Sequence, residues 1–241
     1  MEEMIKNRSR LLFSAVLTAM VLTGCAYQLS LGRLEPLPES RQGEGFTVSD
    51  DGTVMYTKER LEISLRVMTD EELNRQFADA SNQGQVSTNP YTFGNWSPNP
   101  GEPPPSRFTV LLLKVKNYTY PKVYINPQKM IVVSKNGREY EPLTLASMKE
   151  YYYPYVQGYA GKEYSQFDNR IDLLRRTLYS ADEMVFSGQE SQGFVLFPKL
   201  HDDVGEITVH VKDIALRFDF RGTPTETTDL AFSFHREIRR L

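Results

Sequence analysis

The chain has almost no cysteine. There is one in 241 residues, Cys25, so no internal disulfide can form and the fold must be held by its core. The absence also removes the thiolate sets of structural zinc sites. The three histidines, His201, His210 and His235, are too far apart in sequence for a local zinc motif. Neither G-x-G-x-x-G nor G-x-x-x-x-G-K occurs, so nucleotide binding has no support. No run of lysine or arginine is found beyond the first ten residues, which argues against nucleic acid and against electrostatic attraction to a membrane. Long apolar runs are missing too. Leu11 to Leu22 is uncharged but too short to span a bilayer comfortably.

That short run follows Lys6, Arg8 and Arg10 and ends in small residues before Cys25, the pattern of an export signal. Glu2 and Glu3 do not suit the positive start of such a leader, and initiation at Met4 would remove both. Leu22-Thr23-Gly24-Cys25 resembles the lipobox of bacterial lipoproteins. The resemblance implies cleavage before Cys25, lipid attachment to its sulfur (palmitate-type acyl chains) and residence in the cell envelope. Ala26 stands where, by the same resemblance, an aspartate marks retention at the inner membrane, so the outer membrane is favoured in a Gram-negative host. A single acyl chain binds only marginally, whereas the two or three that the resemblance implies make a stable anchor. Of 28 basic and 31 acidic residues the leader holds three and two, which leaves a mature chain of net charge −4.

The expected organisation is a cleaved signal peptide over residues 1–24, a tether over 25–44 and one domain over 45–241. Phe46 to Val48 and Val54 to Tyr56 flank the turn signal Asp50-Asp51-Gly52. In the stretch from Arg60 to Met68, Leu61, Ile63, Leu65 and Val67 alternate with polar residues, as in a half-buried strand. Thr69 with Glu72 three residues later is a capping box for a short helix through about Ala80. Residues 81–107 read as a long Asn-, Gly-, Pro- and Ser-rich loop. Phe108 to Val115 is apolar on both faces, as in a central strand, with Leu112 expected to be buried. Met130 to Ser134 and Arg138 to Tyr140 flank Lys135-Asn136-Gly137, and Asn-Gly predicts a hairpin. Leu143 to Tyr153 reads as a helix. Phe167, Ile171, Leu174 and Leu178 mark an amphipathic helix, with Arg170, Arg175 and Arg176 off its stripe. Met184 to Phe186, Gly193 to Phe197, Ile207 to Val211, Ala215 to Phe220 and Leu230 to Phe234 are strands. The fold class is mainly β, an antiparallel β-sandwich with short helices inserted at about 69–107 and 144–180.

Phe108 to Asn117 (FTVLLLKVKN), Met130 to Tyr140 (MIVVSKNGREY) and Gly188 to Pro198 (GQESQGFVLFP) resemble the immunoglobulin-like, telokin-like domains of many bacterial lipoproteins. The resemblance covers roughly residues 105–220. It implies a fold and a cell-surface or periplasmic setting, and it brings no catalytic residue. The helical segment 144–180 departs from the plain pattern.

Catalytic signatures are weak. Ser191 lies in G-x-x-S-x-G, not in a nucleophile elbow. Asp202, Asp203 and Glu206 could offer oxygens to calcium, but the spacing fits no loop signature and an acidic turn is the default. Asn95 and Asn117 open glycosylation triplets without meaning in a bacterial lipoprotein. Aromatics are the remaining signal: Tyr91, Phe93 and Trp96 in the long loop, then Tyr151, Tyr152, Tyr153, Tyr155, Tyr159 and Tyr164 around Pro154. Such rings give rigid amphipathic contact area. The expected role is a non-catalytic binding or scaffolding module for a protein partner of the envelope, with Trp96, Tyr152, Tyr155 and Tyr159 at the contact, without metal, cofactor or nucleic acid and with no oligomeric state specified. The alternatives are a glycan- or peptidoglycan-binding module, using the tyrosines for stacking, and a hydrolase with an unrecognised pair of carboxylates.

Overall fold

The computed structural model describes residues 29–99, 104–154 and 163–240. Residues 1–24, Cys25, Tyr155 and Tyr159 lie outside the described residues. Two compact units are present. One is a two-stranded ribbon of β1 (Leu29–Leu31) and β14 (Ile238–Arg240). The other, residues 32–237, is the sandwich.

Its first sheet runs, in spatial order, β11 (Gln189–Pro198), β6 (Phe108–Asn117), β5 (Leu61–Met68), β4 (Thr53–Lys58) and β3 (Phe46–Val48), all antiparallel. The second runs β10 (Met184–Phe186), β7 (Lys122–Tyr124), β12 (Glu206–Phe218), β13 (Pro224–His235) and β2 (Glu35–Pro36). The hairpin of β8 (Met130–Ser134) and β9 (Glu139–Tyr140) joins it through β8, which pairs with β12. The molecule is therefore mainly β, an antiparallel sandwich with a few short helices, as the patterning implies.

Why β6 is apolar on both faces is now plain. Leu111, Leu113 and Val115 point between the sheets, against Val132, Val209 and Phe232. Phe108 and Val110 point the other way, into a second core with Met148, Ile171 and Leu174. Helices α1 (Asp70–Gln76), α2 (Ala78–Ser81), α3 (Leu145–Tyr152) and α4 (Glu163–Thr177) form with the 87–92 loop a layer over this outer face. Leu112 faces that layer and is half-buried, so the centre of the inter-sheet core belongs to Leu111 and Leu113. Where the layer stops, the outward positions turn charged: Lys114 pairs with Glu190 at 2.9 Å and Lys116 with Glu62 at 3.2 Å.

Local chemistry fixes the elements. The capping box forms in both halves: the Glu72 amide donates to Thr69 Oγ1 at 3.2 Å and the Thr69 amide to Glu72 Oε2 at 2.9 Å. α1 ends at Phe77, earlier than expected, and α2 continues after that break. The expected strands 207–211 and 215–220 are one strand, which ends at Phe218, so Phe220 falls in the turn beyond it. β12 bulges at Asp213 (φ 55°) and there exchanges β8 for β7 as its neighbour, the bend that an extra unpaired residue produces. Gly193 is required by close approach. A Cβ there would lie 2.4 Å from Tyr179 Cα, because the Tyr179 amide donates to Phe194 O at 2.9 Å and closes the outer edge of β11.

The expected tether is too long. Residues 32–44 belong to the sandwich. β2 pairs with β13, Leu37 is buried, and the Gln42 side chain acts as a clip. Its Nε2 donates to Leu37 O and Ser233 O at 2.8 and 2.7 Å, and the Ser233 amide donates to its Oε1 at 2.9 Å. A side-chain amide thus replaces a strand at this edge, which leaves no periodic signature in the sequence.

Candidate functional site

Tyr152 stands at the joint between the helical layer and the first sheet. It lies four residues after Met148, so both face the second core; Tyr152 is 1 % exposed. Its hydroxyl donates to Pro90 O at 2.8 Å and accepts from Arg107 Nη1 at 2.9 Å. The guanidiniums of Arg107 and Arg170 lie 5.5 and 5.2 Å from the ring centroid. Burial pushes its hydroxyl up to about 12, against the pull of the two cations. The expectation that this ring meets a partner is thus corrected: Tyr152 is a core residue. The i, i+4 relation to Met148 was the signal for it. Its neighbours are more exposed, Tyr153 at 53 % and Tyr151 at 38 %, although the Tyr151 ring packs edge-on against Phe108, while Trp96 is half-buried.

Arg170 is likewise not a solvated residue. It is three residues after Phe167 and four before Leu174, on the flank of the stripe. It is buried, and Nη2 donates to Ser87 O at 2.6 Å. Thr177, seven residues on, meets the Tyr91 hydroxyl. α4 therefore grips the 87–91 segment with a polar edge.

Most of that segment is buried despite its polar composition, because its groups satisfy one another. Asn74 Oδ1 accepts from Ser81 Oγ, Thr92 Oγ1 and Asn89 Nδ2, and Asn74 Nδ2 donates to Gly94 O at 3.1 Å. Asn89 Nδ2 also donates to Ser81 Oγ at 2.9 Å, and its Oδ1 accepts the Tyr91 amide at 2.9 Å. Gly94 (φ 67°) closes the loop where a Cβ would sit 2.5 Å from Ser81 O. Residues 87–94 are thus an ordered plug over the second core.

The carboxylates that could have held calcium are engaged. Asp202 pairs with Lys199 at 3.0 Å, Asp203 with Arg138, and Glu206 with Arg41 and Lys135 at 3.1 and 3.3 Å. No group of three or more His, Cys, Asp or Glu suited to a metal ion occurs among the described residues. Ser191 is a buried residue of β11 paired with Val115. Among the described residues Asp70 stands out as an acid: burial pushes it up to about 6, with Ser106 and Arg107 pulling down and Glu71 pushing up. A cavity of about 280 Å³ with a mixed lining, including Leu143, Leu178 and Phe194 together with Gln128, Arg175 and Asp182, lies beside the start of α3.

No family model matches the chain, and no curated protein matches it in sequence. Among solved structures it is similar to MPT63, a secreted protein from Mycobacterium tuberculosis, at 11% sequence identity and a TM-score of 0.31, over 71% of this chain and 92% of that one. A likeness of that size carries no argument about fold or function. Among the described residues, no helix is long and apolar enough to cross a membrane.

Proposed function

We propose that this chain is an acylated envelope lipoprotein, anchored through Cys25, whose sandwich is a non-catalytic binding module for a protein partner. The Leu22-Thr23-Gly24-Cys25 sequence supports the anchor, and by the same resemblance Ala26 supports the outer membrane. The binding role rests on one arrangement. Tyr152 is locked into the second core and holds Tyr151 and Tyr153 outward at the end of α3, where the tyrosine-rich sequence begins. A rigid ring on a short, pinned helix is the kind of side chain that gives contact area at low entropic cost.

Two experiments test the two parts. Intact mass of the protein taken from membranes should show a chain starting at Cys25 with acyl additions; an unmodified Cys25 refutes the anchor. A photo-crosslinker at position 153 in the native envelope should yield one discrete protein adduct, lost on Tyr151→Ala. Absence of any adduct, with the variant folded, refutes the contact.

A further inference from the structure

Four connections converge at the end of the sandwich where β12 turns into β13. They are the Glu59-Arg60 turn, residues 118–121, residues 187–188 and residues 219–223. Strand pairing fixes this: Leu61 and Gln189 flank Asn117, Phe186 lies opposite Lys122, and Tyr124 opposite Ala215 sets Lys122 beside Phe218. Glu59 and Arg60 both have positive φ (49° and 67°), and Thr119 and Tyr120 donate to Glu59. These are built turns.

Their side chains are unusual for solvated turns. Phe220 is 91 % exposed, Phe186 50 % and Tyr118 39 %. Cations stand over the rings: Arg60 is 5.9 Å from the Tyr118 centroid, Lys122 4.2 Å from Phe218 and Arg221 5.1 Å from Phe220. Three carboxylates near this end are ion-paired: Glu226 with Arg217, Glu190 with Lys114 and Glu62 with Lys116. Two keep their charge at the turns, against four cations: Asp219 accepts from the amides of Arg221 and Thr223, and Glu59 from the Tyr120 hydroxyl. Among the described residues, Lys58, Arg60, Lys122 and Arg221 make no ion pair. One end of an acidic protein is thus cationic and apolar at once. No basic run announces it, because the charges come from four separate connections.

We propose that this end docks reversibly on an anionic lipid bilayer, with Phe220 and Phe186 entering the interface and the four cations meeting headgroup phosphates. Exposed aromatics ringed by lysine and arginine suit that boundary, where the apolar stems of the cations are buried as their heads stay wet. A soluble anionic glycan would satisfy the charges but leave the phenylalanine rings, which have no polar atom, in water. The contact belongs to the protein surface and does not rest on the anchor at Cys25.

The test uses the chain from residue 25 with Cys25→Ser, which cannot be acylated. Both cores and the side chains packed on them come from residues 34–234, so it keeps every core contact. It is sedimented with vesicles of phosphatidylcholine alone, and with vesicles of phosphatidylcholine and phosphatidylglycerol in equal parts. Binding is expected to the mixed vesicles only, and to fall with added salt. Phe220→Ser should lower partitioning about tenfold, and Lys122→Gln or Arg221→Gln about fivefold each. Lys135→Ala, a cation lost from the hairpin turn between β8 and β9, should change nothing. Circular dichroism shows that each variant is folded. Equal binding to both vesicles, no effect of Phe220→Ser, or binding to heparin with none to vesicles would each overturn the proposal.

Discussion

Replacing Tyr152 by phenylalanine removes one oxygen atom from the joint between the helical layer and the sheet. That oxygen donates to Pro90 O and accepts from Arg107. Pro90 is buried, so its carbonyl does not readily regain a water, while Arg107 is half-buried. Leaving a buried neutral acceptor unpaired costs about 1–3 kcal/mol, and a charged donor raises that. Tyr152→Phe should therefore destabilise by about 2–4 kcal/mol. Tyr152→Ala also empties the ring's volume, a loss of about 3–5 kcal/mol for a large aromatic, and should undo the helical layer. Thermal melts followed by circular dichroism read this directly. In a chain of this size each kcal/mol moves Tm by about 2–4 °C, so Tyr152→Phe should melt about 5–10 °C lower. A surface ring would give a change within about 0.5 kcal/mol. If Tyr152→Phe melts with the wild type, the hydrogen bonds do not hold the joint and the core assignment of Tyr152 fails.

Further expectations concern other parts of the fold. Leu113→Ala, fully buried between the sheets, should cost about 2–5 kcal/mol in denaturant melts and half-buried Leu112→Ala distinctly less; equal losses would refute the two-sided reading of β6. Gly193→Ala should abolish the wild-type melt or lower it by several kcal/mol, because its Cβ would meet the Tyr179 backbone at 2.4 Å in a close-packed interior. Asp70 has its pKa raised by burial to about 6, so the folded state holds its proton more tightly than the unfolded one. The protein should lose stability as pH rises from about 4 to 6. Asp70→Asn should gain about 1 kcal/mol near neutral pH, less than the full shift since the start of α1 favours a negative charge, and nothing near pH 3. A gain equal at both pH values would exclude this cause.

The sequence made the strands legible wherever one face is wet. β5 alternates, β6 is two-sided, the Asn136-Gly137 hairpin forms, and Thr69 with Glu72 caps α1 as expected. What escaped was held by side chains instead of by periodicity. Gln42 completes a sheet edge with its amide. Asn74, Ser81, Asn89 and Thr92 bury a polar loop by satisfying one another, while composition alone marks such a stretch as solvated. Residue type sets Arg170 off the apolar stripe and makes Tyr152 a contact ring, whereas both are buried. Their spacing to Phe167 and to Met148 carried the better information. At the candidate site, Tyr151 and Tyr153 become the outward rings only once Tyr152 is fixed inward. Cys25, Tyr155 and Tyr159 lie outside the described residues.

The Gln42 clip has a mechanical meaning. A chain pulled at Gly32 would load the strip 32–42 against β13. β2 is joined to β13 at only two positions, Phe234–Pro36 and His235–Glu35; the clip adds two bonds to Ser233, and the Leu37 amide, donating to Ser233 O at 2.9 Å, a third. Such a strip peels bond by bond instead of shearing all at once. The long β12–β13 pairing behind it, which runs from Glu206–His235 to Phe218–Pro224, is left intact. Releasing residues 32–44 would free a segment whose extended length is about 45 Å at about 3.5 Å per residue. The strip is a fuse: it lengthens under tension and exposes Leu37 and Leu34, while the rest of both cores is kept.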